Sequence, residues 1–375
     1  MAKPLTVGID VRELRTAKTG IKTILEEICR EFKTMESADL HFHFLDTSMP
    51  IYTGNNKLMK LGEHIKYQLW KQVILPFKAW SKKCDIVFCA DTVPYLHLGY
   101  KTIPIIHDAF CFESPQHYGK LWLWIYKKTA TPGARRSPFV VTATSYARDQ
   151  ISHYMSIPAN KFVVIHDGPK RLNYVEDNDK TYTTLESLSL TPSKYILHVG
   201  SMYKRKNLPA LVHAFSKLKK TGYADLKLVL AGSFITNKFD NDYDLILNII
   251  EANNLQSKVI ITGYLSDGKL NQLYKNALLY VFPSINEGFG LPVLEAFAYN
   301  LPVLISNSTS LPEVGGDAAL QFDGFNVDDI AAKIKTVLDD AELQKEMIIK
   351  GQERLKLFSW HNTATKLIDV FKRAL

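Results

Sequence analysis

Cysteine is scarce in this chain, and the four present, Cys29, Cys84, Cys89 and Cys111, are badly spaced for chemistry. None forms a C-x-x-C pair or stands beside paired histidines, which excludes a zinc ribbon or a dithiol motif and leaves reduced structural thiols. Long hydrophobic runs are missing too. The stretch Leu121-Trp122-Leu123-Trp124-Ile125-Tyr126 falls far short of the ~18–20 apolar residues that span a bilayer. The N-terminus enters a strand-like run, Leu5-Thr6-Val7-Gly8-Ile9-Asp10, without the apolar core or cleavage site of a signal peptide, so a cytoplasmic protein is expected. Low-complexity tracts are absent. Two Asp-x-Asp strings, Asp177-Asn178-Asp179 and Asp240-Asn241-Asp242, fall in polar stretches. Two carboxylates are a weak case for a divalent ion that takes about six oxygen ligands, so neither a metal nor any other cofactor is expected.

What is present is a soluble, globular composition, 46% hydrophobic and 22% charged, in a chain of 375 residues, a length at which one core usually divides into two domains. Short apolar runs rich in branched residues alternate with stretches of helical period, the pattern of strand-helix-strand units around parallel sheets; the class is α/β. In the first half, strands are expected at 5–10, 40–45, 85–89, 102–106, 139–144 and 162–165. A helix between the first two carries Ile21, Ile24, Leu25, Ile28 and Phe32 on one face. Between Asp167 and Ser193 the chain turns polar, which places a domain boundary near 190. Beyond it the alternation restarts, with strands at 194–199, 227–231, 258–262, 278–282 and 302–305 and helices beginning near 207, 242, 267, 291 and 327. No sequence repeat relates the halves.

The formal charge of +8 has a single origin. Residues 57–136 hold 13 Lys or Arg against 5 Asp or Glu, while the remainder balances at 33 against 33. This excess lies beside Trp70, Trp80, Trp122 and Trp124 and suits peripheral contact with an acidic membrane. The competing reading, solvated lysines on ordinary amphipathic helices, weighs slightly more here, because aromatic residues at helical spacing usually face a core. Nothing resembles a nucleic-acid recognition module, so no nucleic acid is expected as a partner.

The strongest local pattern is Pro283-Ser284-Ile285-Asn286-Glu287-Gly288-Phe289-Gly290-Leu291-Pro292-Val293-Leu294-Glu295-Ala296-Phe297, directly after a strand. Gly288 and Gly290 let the backbone approach a ligand, and Pro292 fits the first turn of a helix. The N–H groups at that helix start suit a phosphate, while Glu287 and Glu295 offer fixed acceptors for hydroxyls. For Glu295, a capping or salt-bridged role is an equal alternative. A second pattern, Tyr195-Ile196-Leu197-His198-Val199-Gly200-Ser201-Met202-Tyr203-Lys204-Arg205-Lys206-Asn207, leads from a strand through three cations to a helix. Such cations neutralise a diphosphate and stabilise the charge that grows on a departing nucleotide. His107-Asp108 follows the strand at 102–106, where ligands of open α/β sheets gather; on the dipeptide alone, Asp108 capping the next segment is the stronger reading.

Together these patterns resemble the retaining family-4 glycosyltransferases of GT-B fold, the glycosyl transferases group 1, and especially their mannosyltransferase-like bacterial members. The resemblance covers nearly the whole chain. Glu287 and Glu295 fit the E-x7-E motif, Arg205-Lys206-Asn207 the R-K-N donor-phosphate motif, Ile106-His107-Asp108 the acceptor-side histidine motif, and Thr19-Gly20-Ile21 the glycine loop after the first strand. Ser310 to Val314, Gly316 to Ala319 and Ser359-Trp360 also fit.

The resemblance implies two Rossmann-like domains facing each other across a cleft: 1–190 on the acceptor side, 191–358 binding the nucleotide sugar, and 359–375 as a helix crossing back. It implies that Arg205 and Lys206 hold the diphosphate and Glu295 the ribose, that Glu287 with Gly288, Phe289, Gly290 and Leu291 holds the hexose and its phosphate, and that His107 lies near the transferred sugar. Gly200, Ser201 and Gly20 would approach the phosphates, and Ser233, Tyr264 and Leu265 the nucleobase. Three departures stand out: Ser201 where some members have arginine, Gly20-Ile21-Lys22 where many have a second glycine and an arginine, and His166-Asp167-Gly168-Pro169 where Pro-Asn-Gly is usual. The function implied is transfer of a hexose, from a GDP-mannose-type donor, to a glycan or lipid-linked acceptor of cell-surface polysaccharide, at the inner face of the membrane. A UDP-sugar donor, and a noncatalytic sugar-nucleotide-binding partner of a transferase assembly, are the alternatives.

Overall fold

The structure is a computed structural model that describes residues 3–16, 20–52, 54, 56–90, 93–96, 98–171, 181–219, 221–233 and 241–375. The chain divides into two compact units, Met1–Gly168 with Ser359–Leu375, and Pro169–Phe358.

The first unit is built on six parallel strands: β1 (Leu5–Asp10), β2 (Leu40–Leu45), β3 (Ile86–Ala90), β4 (Lys101–Ile105), β5 (Val140–Thr142) and β6 (Phe162–Val164), in the order β2-β1-β3-β4-β5-β6. β3 is buried at every position, as a strand covered on both faces must be. The helix Gly20–Thr34 buries Ile24, Leu25, Ile28 and Phe32 against the sheet. Phe32 stacks on Phe42 at 4.5 Å and meets Phe371 at 5.9 Å, so the C-terminal helix Trp360–Arg373 completes this core. Within His166-Asp167-Gly168-Pro169, the glycine has a packing reason. A Cβ there would lie 2.6 Å from the Trp360 backbone nitrogen, so only glycine lets that helix start so close. Neighbouring Asp167 is fully buried, neither of its carboxylate oxygens has a hydrogen-bond partner among the described residues, and burial pushes its pKa up to about 7.

The second unit repeats the architecture with β7 (Tyr195–Val199), β8 (Lys227–Ala231), β9 (Val259–Gly263), β10 (Leu279–Phe282), β11 (Val303–Ser306) and β12 (Ala319–Phe322), ordered β12-β11-β10-β7-β8-β9. The order reverses between β7 and β10, which opens a crevice at their carboxyl ends. Helices Leu208–Lys219 and Val327–Asp339 bury Leu211, Val212, Phe215, Ile330 and Ile334 in its core.

Two expectations are corrected. The units divide after Gly168 rather than near 190, because residues 181–187 form a helix packed on Asp267–Asn276 and Lys170 pairs with Asp267 at 2.6 Å. The polar composition marked the connection, of which residues 172–180 lie outside the described residues, as do Asp177 to Asp179 and Asp240. The edge strand β12 was not anticipated, since Ala319-Leu320-Gln321-Phe322 is short and its Gln321 faces solvent.

Candidate active site

Three loops converge at the carboxyl ends of β7, β8 and β9. The Gly200 N–H donates to Ala231 O at 2.8 Å and the Gly232 N–H to Gly263 O at 3.1 Å. A Cβ on Gly232 would lie 1.9 Å from the Gly200 carbonyl oxygen, so this contact requires glycine. It brings Ser201 and Ser233 together, their hydroxyls 3.2 Å apart. Tyr264, just beyond β9, is 80% exposed, and Leu265 is half-buried.

The cations after β7 turn toward the loop after β10. Lys204–Lys206 forms one turn of 3-10 helix that ends on Asn207 in left-handed conformation. Asn207 is structural: its amide donates to Pro283 O at 3.3 Å and Gly324 O at 2.7 Å. The turn sends Arg205 and Lys206 to one carboxylate. Arg205 reaches Glu287 Oε2 at 3.0 Å and Lys206 Nζ reaches Glu287 Oε1 at 2.5 Å. The Ser284 hydroxyl, 2.6 Å from that Oε1 and 2.9 Å from Arg205 O, can serve either with its single proton. From the other side, the Glu287 N–H donates to Thr309 Oγ1 at 3.1 Å, and Ser310 Oγ lies 2.9 Å from the carbonyls of Glu287 and Phe289.

Burial alone would raise the pKa of Glu287, but Lys206 and Arg205 outweigh it and hold the carboxyl down near 2. Burial draws Lys206 the other way, to about 8, against the pull of Glu287. The pair is charged at neutral pH. Gly290, at a φ of 117° that only glycine takes comfortably, then turns the chain into the helix Leu291–Ala298, with Pro292 in its first turn and Gly288 and Phe289 in the loop before it.

Glu295 lies on that helix in a different setting. Its Oε2 accepts from Tyr274 OH at 2.9 Å, and Lys170, Asp267 and Tyr299 line the same small pocket. Burial raises its pKa, and the tyrosine bond and Lys170 offset that only in part. The capping alternative for Glu295 therefore fails: it is held by a side chain from another helix.

Between the two carboxylates runs an aromatic layer that the motifs did not reveal. Tyr299 stacks on Tyr274 at 5.1 Å, Tyr274 meets Tyr280 at 5.9 Å, and Tyr280 and Phe282 both stack with His198. Strand alternation was the available signal, since Tyr280 and Phe282 share one face of β10. His198 Nδ1 donates to Val281 O at 3.1 Å, and burial holds the ring neutral with a pKa near 3. Its Nε2 has no hydrogen-bond partner among the described residues and lies 3.2 Å from where a Cβ on Gly200 would stand.

The remaining candidates belong to the first unit. Gly20 opens the helix Gly20–Thr34, while Thr19 lies outside the described residues. His107 follows β4; burial lowers its pKa to about 4, and its Nε2 has no hydrogen-bond partner among the described residues. Asp108 accepts from the Phe110 N–H at 3.0 Å, the capping role its position suggested. Among the described residues, no three His, Cys, Asp or Glu side chains are grouped to hold a metal ion.

Two six-stranded parallel sheets of this kind form the GT-B fold of glycosyltransferases. Residues 185–354, which contain the Arg205-Lys206-Glu287 cluster, match the family model of the glycosyl transferases group 1. It is similar to the O-antigen chain mannosyltransferase B of Escherichia coli, 29% identical over 79% of this chain and 77% of that protein. It is also similar to the serotype-specific mannosyltransferase WbdA of Escherichia coli, 34% identical over 81% of this chain; the chain spans only 36% of that longer protein. The crystal structure of Anabaena Alr3699/HepE in complex with UDP-glucose shares the fold, with a TM-score of 0.72 at 15% identity over 98% of this chain and 100% of that one.

Proposed function

We propose that the chain is a retaining hexosyltransferase that takes mannose or a related sugar from a GDP-sugar and passes it to a glycan or lipid-linked acceptor in cell-surface polysaccharide synthesis. One observation carries the reading: Arg205 and Lys206 converge on Glu287 at the strand-order reversal of the second unit. Similarity to O-antigen mannosyltransferases supports the sugar and the polymer.

In this reading Arg205 and Lys206 take the donor's diphosphate. One N–H of Lys206 is used by Glu287, and an ammonium has three to give. A carboxylate has about four lone-pair positions; Arg205 and Lys206 fill two and Ser284 can fill a third, which leaves Glu287 at least one for a sugar hydroxyl. A carboxyl held near 2 is a poor proton acceptor, which argues against Glu287 as general base. The acceptor hydroxyl would instead attack the anomeric carbon on the face that the phosphate leaves. The carbon–oxygen bond to phosphate breaks with its electron pair on the phosphate, whose oxygen takes the hydroxyl proton. Glu295 would bind the ribose, His107 would meet the sugar as a neutral hydrogen-bonding group, and the work would take place at the inner face of an acidic membrane.

The test is the thermal stability of the purified chain against GDP, UDP and ADP and their sugars, repeated with Lys206→Ala, since a ligand that binds only the folded state raises Tm. A selective shift with GDP-mannose, lost in the variant, and mannosyl transfer with retained configuration are expected. A shift with UDP-sugars alone would replace the donor. Selective binding without turnover over a broad acceptor panel would leave the noncatalytic reading.

A further inference from the structure

The first unit carries a helix with two apolar faces, and folding uses one of them. Helical structure is continuous from Lys57 to Ser81 through a π-helical segment at Trp70–Ile74. Its inner face is spent. Trp70, Leu75 and Ala79 are buried with Leu45, Val87 and Cys89, and Lys71 is fully buried against Asp10 at 2.5 Å. Arg12 pins the N-terminal half through Glu63, also at 2.5 Å. The helix is therefore held rigidly on its inward side.

The outward face is apolar as well. Leu58, Leu61, Ile65 and Leu69 form a row at helical spacing, with Leu58 80% exposed. Val73, Phe77 and Trp80, the last 61% exposed, continue it. On an unbroken 3.6-residue turn, successive steps of four drift by ~40°, enough to carry the row off the face. The wider turn, marked by the Leu75 N–H donating to Trp70 O, takes up that drift at Leu69 to Val73 and keeps the row on one side. The expectation that these aromatics face a core holds for Trp70 and fails for Trp80, and likewise for Trp124 on the helix Lys120–Arg136, which is 60% exposed.

Tyr95 lies between these helices: its N–H donates to Gln72 Oε1 at 2.8 Å, and its hydroxyl accepts from Arg136 at 2.7 Å. The exposed surface thus runs from one helix toward the other within the same unit.

Charge selects the occupant. Residues 57–83 contain seven lysines, of which Lys71 is spent on Asp10 in the core, and one acid, Glu63, which Arg12 engages on the inner side. Lys60, Lys82 and Lys83 are exposed. A second copy would set the same basic patch against itself, because a twofold contact is self-complementary. An acidic lipid surface satisfies both parts: the apolar row enters the acyl boundary, tryptophan sits at headgroup level, and lysines meet the phosphates. Among the described residues no helix is long and apolar enough to cross a membrane. We infer that the helix Lys57–Ser81 lies in the plane of an acidic membrane surface and docks the first unit on it. This narrows the membrane contact of the proposed function to one helix face and does not depend on the donor chemistry.

The experiment is cosedimentation of the full chain with vesicles of phosphatidylglycerol and phosphatidylethanolamine, against vesicles of phosphatidylcholine alone. Wild type should be retained on the acidic vesicles and little on the neutral ones. Phe77→Glu with Trp80→Glu should lower partition by about tenfold or more, and Lys82→Glu with Lys83→Glu several-fold with a weaker salt dependence. Both pairs are at exposed positions, and an unchanged melting temperature and nucleotide response show that the fold and donor site persist. Equal retention of wild type and the Phe77/Trp80 variant would overturn the inference, as would failure of acidic vesicles to retain wild type. A wild-type dimer in light scattering that the same variant dissolves would also overturn it, assigning the face to a second copy. None of these outcomes touches the donor assignment, which the melting experiment decides separately.

Discussion

Glu287 and Glu295 stand one motif apart, on the loop and first helix after the same strand, yet the fold drives their acidities in opposite directions. Both are removed from water, which favours the neutral acid. Glu287 lies where the loop after β7 crosses to β10, and two cations with a serine hydroxyl bring it down to about 2. Glu295, facing the helix Asp267–Asn276, has a tyrosine hydroxyl as its close donor and stays raised. The difference teaches that a carboxylate's role here depends on which neighbouring strand reaches it. Glu287 is a fixed anion that organises cations, and Glu295 is an acceptor whose charge remains open to a ligand's influence.

The sharpest way to break this comparison is Glu287→Gln, which leaves Lys206 buried beside a neutral amide. Removing one partner of a buried ion pair costs about 3–5 kcal/mol. A large drop in melting temperature and loss of the nucleotide response are expected, measured by calorimetry with and without GDP. Preserved stability would show that Lys206 is held by something other than this carboxylate. Lys206→Met comes next. Arg205 and Ser284 still hold Glu287, so the fold should suffer less, while loss of a cation at the leaving group should lower kcat by about 10²–10³-fold. A higher KM with unchanged kcat would mean that Lys206 only binds the donor.

Much of this contrast was legible before the fold was known. Parallel strands buried on both faces announce themselves as apolar runs, and eleven of the twelve strands among the described residues lie where those runs predict. The E-x7-E spacing and the cation run identified the two loops. What could not be read was which side chains meet across strands. Ser284, Thr309 and Ser310 look like ordinary loop residues, and only pairing of β10 with β7 and β11 brings Glu287 under Arg205 and beside Thr309. Tyr274 is hidden in an amphipathic helix, and His198 in a strand. The boundary was misjudged because polar composition marks a connection but cannot say which core claims the helix after it.

Acidity provides the third test. Lys206 loses its proton near pH 8 in the folded chain, well below its ordinary value. Between about 8 and the ordinary lysine range the unfolded chain binds more protons than the folded one, so Lys206 makes stability rise with pH there. Nucleotide affinity moves the other way. A bound diphosphate favours the ammonium, so Kd should be flat below pH 8 and weaken above it, approaching about tenfold per unit. Titration calorimetry across that window, with proton uptake on binding, checks both signs. A flat Kd through pH 9 would place the phosphate elsewhere.

The smallest effect belongs to Glu295→Gln. A carboxyl with a raised folded pKa contributes fully at low pH, where both states are protonated, and loses that contribution as pH rises through the folded value. Glutamine has no such loss. The variant should therefore match wild type at low pH and show the higher Tm at pH 8. An amide still accepts from Tyr274 OH, so the pocket should keep its shape. If Glu295 receives ribose hydroxyls, replacing the charged acceptor with a neutral one should weaken nucleotide binding by about tenfold while leaving binding of inorganic diphosphate unchanged. Equal weakening of both ligands would mean that Glu295 acts on the phosphate through the loop, and the separation between the two carboxylates would collapse into a single site.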